Sequence, residues 1–80
     1  MSEASHDAVV STTHDDAAVV AAALAPDNTD AMTTSVDGTR VTTTVTRDST
    51  GGLAATVDDY VVNLTVADAV AETARDTHNL

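Results

Sequence analysis

The stretch GGLAATVDDYVVNLTVADAV, residues 51–70, decides how this chain folds. Leu53, Val57, Tyr60, Leu64 and Ala67 follow one another in steps of four and three, and Ala71 and Ala74 continue the series. That is the period of one helix face. A second apolar set, Ala54, Val61, Val62, Val66, Ala69 and Val70, lies beside the first. Asp58, Asp59, Asn63, Asp68 and Glu72 supply the polar remainder. The spacing predicts a helix from about Gly52 to Arg75, on the order of 35 Å long. Such a helix is longer than a small sheet can cover, so part of its apolar surface should face another chain. Leu53, Val57, Tyr60 and Leu64 are expected to cover the domain's own sheet, with Val61, Val62 and Val66 as surplus. Together with Val70, these eight residues are the candidate partner or dimer-interface positions.

Upstream, Met32, Thr34 and Val36 alternate with Thr33 and Ser35, and Val41, Thr43 and Val45 alternate with Thr42, Thr44 and Thr46. Period two on both sides of Asp37-Gly38 predicts a hairpin with a two-residue loop. That loop would pair Thr34 with Val41 and Met32 with Thr43, placing both apolar sets on one side. Further upstream, Ala17 to Leu24 is rich in alanine, the best helix former. Thr13 is expected to cap this helix, with Asp16 closing a capping box and acids in the first turn suiting the helix dipole. Ala25-Pro26 should end it. His6 to Thr12 forms a short strand with Ala8 and Val10 on one face. The order is strand, helix, strand, strand, helix. The expected architecture is an α+β sandwich, with a three-stranded, mainly antiparallel sheet and two helices on one face. The chain reads as one domain, residues 1–80, ordered over about 4–75 with frayed ends. The open sheet edges invite a second copy.

Composition narrows the possibilities. A domain of 80 residues is marginal alone, and such domains recover stability from disulfides, metals or association. Cysteine is absent, so association is the remedy left. There is one tyrosine and no phenylalanine, tryptophan or isoleucine, which leaves valine, alanine and threonine to build the core. Asp plus Glu total 13 against 3 arginines, for a net charge of -10, and lysine is absent. A folded chain with this balance points to a salt-rich cytoplasm, where carboxylate repulsion is screened. No apolar run approaches the roughly 20 residues of a membrane span, and no signal-type apolar segment opens the sequence. A cytoplasmic location is expected.

Four features in this order resemble a known family. They are the first strand and helix closing on Ala23-Leu24-Ala25-Pro26-Asp27-Asn28, the Thr-rich hairpin, Leu53-Ala54-Ala55-Thr56-Val57-Asp58-Asp59-Tyr60, and the long helix that follows. The family is the small dimerising, Pcc-type subunit of the KEOPS complex, and the resemblance covers about residues 8–74, in a chain of halophilic archaeal character. It implies a non-catalytic subunit without metal or cofactor, working as a homodimer or paired with a related small subunit. Its helices would dock the Kae-type threonylcarbamoyl transferase. That enzyme makes threonylcarbamoyladenosine in tRNA, and tRNA would be met only in the context of the complex. The chain departs from the family pattern at Ala54, where an arginine is usual, at Asp58, where asparagine is usual, and at Ala25, where a basic residue is frequent.

The residues offer little other chemistry. His6, His14 and His78 are scattered, without ligand spacing on one face, and read as solvent-exposed. Asp15-Asp16 and Asp58-Asp59 diverge by about 100° on a helix and do not converge on a substrate. Gly51-Gly52 lacks the spacing and lysine of a phosphate loop and reads as the start of the helix. Asn63-Leu64-Thr65 matches a glycosylation acceptor but sits mid-helix. Arg40, Arg47 and Arg75 are the candidate RNA contacts, with Arg40 and Arg47 on opposite faces of their strand. The rival readings are a stand-alone RNA-binding module and a small ligand-binding or enzymatic domain.

Overall fold

The computed structural model describes the backbone of residues 5–78 and the side chains of residues 5–73. Its elements run β1 (His6–Thr13), α1 (Ala17–Leu24), a 3-10 turn (Ala25–Asp27), β2 (Met32–Asp37), β3 (Arg40–Arg47) and α2 (Thr50–His78). The sheet order is β1-β3-β2, and both pairs are antiparallel. The fold is α+β, in the expected element order. Val41, Thr43 and Val45 of β3 are buried, while Thr42 and Thr44 between them are not. Period-two alternation thus gives the sheet one covered and one open face. Both helices lie on the covered face. Ala17, Val20 and Leu24 of α1 and Tyr60, Leu64, Ala67 and Ala71 of α2 share one core cluster with Val41. Val10, Ala23 and Met32 pack against it.

The hairpin register differs from the expected one by two residues. Val36 faces Val41, Thr34 faces Thr43 and Met32 faces Val45, so the loop is Gly38-Thr39 rather than Asp37-Gly38. Gly38 has φ 60, and no other residue has positive φ among the described ones. Glycine first and an ordinary residue second is the type II′ arrangement, which twists with the strands. The Asp37-Gly38 loop would have needed positive φ at an aspartate as well. Because the shift is even, every side chain keeps its face.

The start of α1 also corrects the sequence reading. β1 pairs with β3 through Thr13, and the His14 N–H donates to the Thr39 carbonyl at 2.7 Å. Thr13 is therefore still in the sheet and cannot cap a helix. The cap position belongs to Asp16, which makes no side-chain capping bond, and the first turn holds no acid. Leu24 ends the helix, and Pro26 sits in the 3-10 turn, as expected for a residue without an N–H to give.

α2 begins earlier than expected. Ser49 caps it, its Oγ accepting from the Gly52 N–H at 3.0 Å while its carbonyl accepts from the Leu53 N–H at 2.9 Å. Gly51 and Gly52 therefore lie inside the first turn, and the helix runs for 29 residues, about 43 Å. The two glycines differ. A Cβ on Gly52 would stand 2.9 Å from the Ser49 Oγ and 3.0 Å from an Arg47 nitrogen, whereas a Cβ on Gly51 meets nothing within 4 Å. Gly51→Ala should accordingly stabilise the chain by up to about 1 kcal/mol. Gly52→Ala should give no such gain, because it disturbs the cap. Urea titration of the two variants separates these outcomes.

A threonine occupies the centre of the covered face, and its hydroxyl is served by a chain of hydrogen bonds. Asn28 Nδ2 donates to Thr34 Oγ1 at 2.9 Å, and Thr34 Oγ1 meets Thr43 Oγ1 at 2.8 Å. Thr43 Oγ1 donates to the Tyr60 hydroxyl at 2.7 Å, so the proton between the two threonines belongs to Thr34. Burying a hydroxyl without a partner would cost several tenths to a few kcal/mol. Here none of these side-chain polar atoms is left unpaired.

Candidate interaction surface on the last helix

Residues on a helix advance by about 100° each, so a face is fixed once the buried positions are known. Tyr60, Leu64, Ala67 and Ala71 are buried and define the inner side of α2. Val62, Val66, Ala69 and Thr73 then fall roughly a third to half a turn away, and Val70 lies on the flank between them and the core. The second apolar set thus divides: Val62, Val66 and Ala69 lie on the far side from the core stripe, and Ala54, Val61 and Val70 lie alongside it, as the spacing predicts for the whole set. Val62 is 62%, Val66 58% and Val70 53% exposed. Val66, Ala69, Val70 and Thr73 line an open depression of about 480 Å³. Val61, 46% exposed, sits on a flank about 140° from Val66. Asp58 and Asp59 are exposed beside Val62, and Arg47 lines a shared depression with Val62 and Asp59.

The eight candidate interface positions therefore divide. Tyr60 and Leu64 are in the domain's own core, at 1% and 8% exposure, and offer no surface to a partner. Leu53 and Val57 are half-buried against the sheet side. Val62 and Val66 lie on the outer side, Val70 borders them on one flank and Val61 lies on the other. An apolar row of this kind on the far side of a helix has no role in the core of its own chain. Such rows mark interaction surfaces.

No family model, curated protein or solved structure matches the chain. The residues themselves must carry the functional reading.

The candidate RNA contacts are not brought together. Arg40 lies on the open sheet face, where its Nη1 donates to the Ser11 Oγ at 3.0 Å, and Asp37 is its register partner. Arg47 points to the helix side, and its Nη1 donates to Thr56 Oγ1 and, at 3.4 Å, to the Gly52 carbonyl. It lines a depression of about 500 Å³ together with Asp27 and Asp59. Both arginines thus have acidic company, unlike the basic stripe that phosphate tracking needs. Arg75 lies outside the residues whose side chains are described, as do Ala74 and His78.

His14 overturns an expectation. Its side chain is only 9% exposed, with Nδ1 at 2.8 Å from Asp68 Oδ1 and Nε2 at 2.7 Å from Thr12 Oγ1. Hydroxyl, imidazole and carboxylate in that order have the connectivity of a nucleophile, base and orienting acid. The neighbouring depression, about 330 Å³, is lined by Thr13, His14, Asp15, Asp68 and Glu72. A molecule entering it would meet the imidazole and carboxylates but not the Thr12 hydroxyl. The arrangement works instead as a latch tying the end of β1 to the middle of α2. Sequence spacing could not reveal it, because His14 and Asp68 are 54 residues apart. His14→Ala is expected to lower stability by about 1–3 kcal/mol, since it strands Thr12 and releases Asp68. Urea unfolding followed by circular dichroism measures this. Among the described residues no group of three or more His, Asp or Glu could hold a metal ion, and no helix is long and apolar enough to cross a membrane.

Proposed function

We propose that this chain is a non-catalytic scaffold subunit, active as a dimer in a salt-rich cytoplasm, that docks the Kae-type threonylcarbamoyl transferase of the KEOPS assembly. The observation that carries the scaffold reading is the outer side of α2 and the flank beside it, with Val62, Val66 and Val70 each more than half exposed. A chain this short, with so few large apolar residues, gains nothing from exposing three valines unless another surface covers them. The identity of the partner rests on the resemblance of the Ala23–Asn28 and Leu53–Tyr60 stretches to the family's signatures. Supporting it, the element order of the fold is the one that the resemblance implies.

In this reading tRNA is met only within the assembly. Arg40 and Arg47 each sit beside carboxylates, and the chain carries a net charge of -10, so a basic partner must supply most of the phosphate contacts. The test is reconstitution of threonylcarbamoyladenosine synthesis with the other subunits, with and without this chain, in molar salt. The expected result is no product from the chain alone and a higher rate when it joins the transferase. Equal rates with and without it would contradict the proposal.

A further inference from the structure

The outer side of α2 ends in a depression of different chemistry, and its reading rests on the proposal above that this side docks the transferase. Asp59, Asn63, Val66 and Val70 follow one another in steps of four, three and four, so they lie within about 60° of one another on the helix. The row is about 16 Å long. At one end, Val66 and Val70 line the apolar depression. At the other, Asp59 and Asn63, together with Val62, line the mixed depression of about 500 Å³. The rest of that wall comes from distant parts of the chain, with Asp27 in the 3-10 turn, Met32 at the start of β2 and Arg47 at the end of β3.

The charged groups of this depression are unequally engaged. Arg47 Nη1 donates to Thr56 Oγ1 and to the Gly52 carbonyl, and the Thr56 hydroxyl donates to the same carbonyl at 2.8 Å. These bonds tie Arg47 to the first turns of α2. Asp27 and Asp59 are exposed, and neither carboxylate has a hydrogen bond or an ion pair with a described residue. Half-buried Met32 and exposed Val62 supply apolar surface beside them. Apolar surface next to free carboxylates suits a side chain with a hydrocarbon stem and a cationic head. We infer that this depression receives one lysine or arginine side chain of the docked partner, whose apolar side chains continue along the row toward Val70.

The chain's net charge of -10 favours basic partners in general, but in molar salt the Debye length is about 3 Å and attraction at a distance vanishes. Only a charge brought into contact keeps its effect there, and a pair partly closed off from solvent is screened least. In the depression the stem lies along Met32 and Val62 while the head meets Asp27 and Asp59. Arg47 repels the head and keeps it on the carboxylate side. An anionic side chain would instead face two carboxylates against one guanidinium that is already bonded.

The test is calorimetric titration of the Kae-type transferase in molar salt with four forms of the full chain. They are wild type, Asp27→Asn/Asp59→Asn, Asp27→Lys/Asp59→Lys, and a control, Asp7→Asn/Asp37→Asn, which removes the same charge from exposed positions elsewhere. The asparagines keep the shape of the aspartates, and circular dichroism checks the fold. The Asn pair is expected to bind at least about tenfold more weakly, the Lys pair more weakly still, and the control within about twofold of wild type. Wild-type affinity in the Asn pair would overturn the inference while leaving the docking reading standing. Tighter binding by the Lys pair would mean an anionic occupant and overturn it as well, as would an equal loss in the control. No binding by the wild-type chain would overturn the docking reading and this inference with it.

Discussion

Replacing Val62 and Val66 together with aspartate is expected to weaken the proposed docking of the Kae-type transferase by about a hundredfold or more, with the fold unchanged. The two side chains are 62% and 58% exposed in the free chain, so the core loses nothing when they change. Valine and aspartate have similar helix propensities, and α2 should remain helical. Covering a valine in an interface contributes about 1.5–3 kcal/mol, and two such losses correspond to at least two decades in affinity. Two carboxylates that must leave water add to the effect. Calorimetric titration of the transferase with the variant reads the affinity, and circular dichroism reads the fold. An unchanged affinity would remove the outer stripe from the docking surface. Val61→Asp is the internal comparison, because Val61 lies on a flank of the helix and its change should matter less.

The largest effect on stability is expected at Tyr60. It is the only aromatic residue in the chain, it is 1% exposed, and its hydroxyl accepts the Thr43 hydrogen bond. Truncating a buried aromatic ring to alanine costs about 3–5 kcal/mol. An ordinary domain of this length has about 4–12 kcal/mol in all. Tyr60→Ala should therefore remove most of the stability and leave a substantial unfolded fraction at room temperature. Tyr60→Phe keeps the ring and removes only the acceptor of Thr43, for a loss of about 1–2 kcal/mol. Urea midpoints of the two variants separate packing from hydrogen bonding. Equal midpoints would mean that the ring adds nothing beyond its hydroxyl.

The parts of this fold that were legible in the sequence are those set by side-chain period. Val41, Thr43 and Val45 announced a half-covered strand, and Leu53 through Ala71 announced the inner face of α2, because burial at period two or 3.6 leaves its mark on composition. What sequence left obscure depends on dihedral angles and on distant contacts. The hairpin register turned on whether one or two residues take positive φ, and Asp37-Gly38-Thr39 permits either choice. α1 begins later than its capping residues suggest because β1 pairs onward through Thr13 and holds the chain extended. The outer valines of α2 were visible as a surplus, but placing them opposite the core needed the inner face to be known residue by residue. The His14 latch and the approach of Arg47 to Gly52 join segments that only the folded chain brings together.

The central claim, that this chain is a scaffold for the Kae-type transferase, is tested most directly by the mass of the purified chain mixed with the purified transferase in molar salt. Light scattering should show a complex containing both proteins, lost for Val62→Asp/Val66→Asp. Two separate species with the wild-type chain, at concentrations well above those in the cell, would contradict the account.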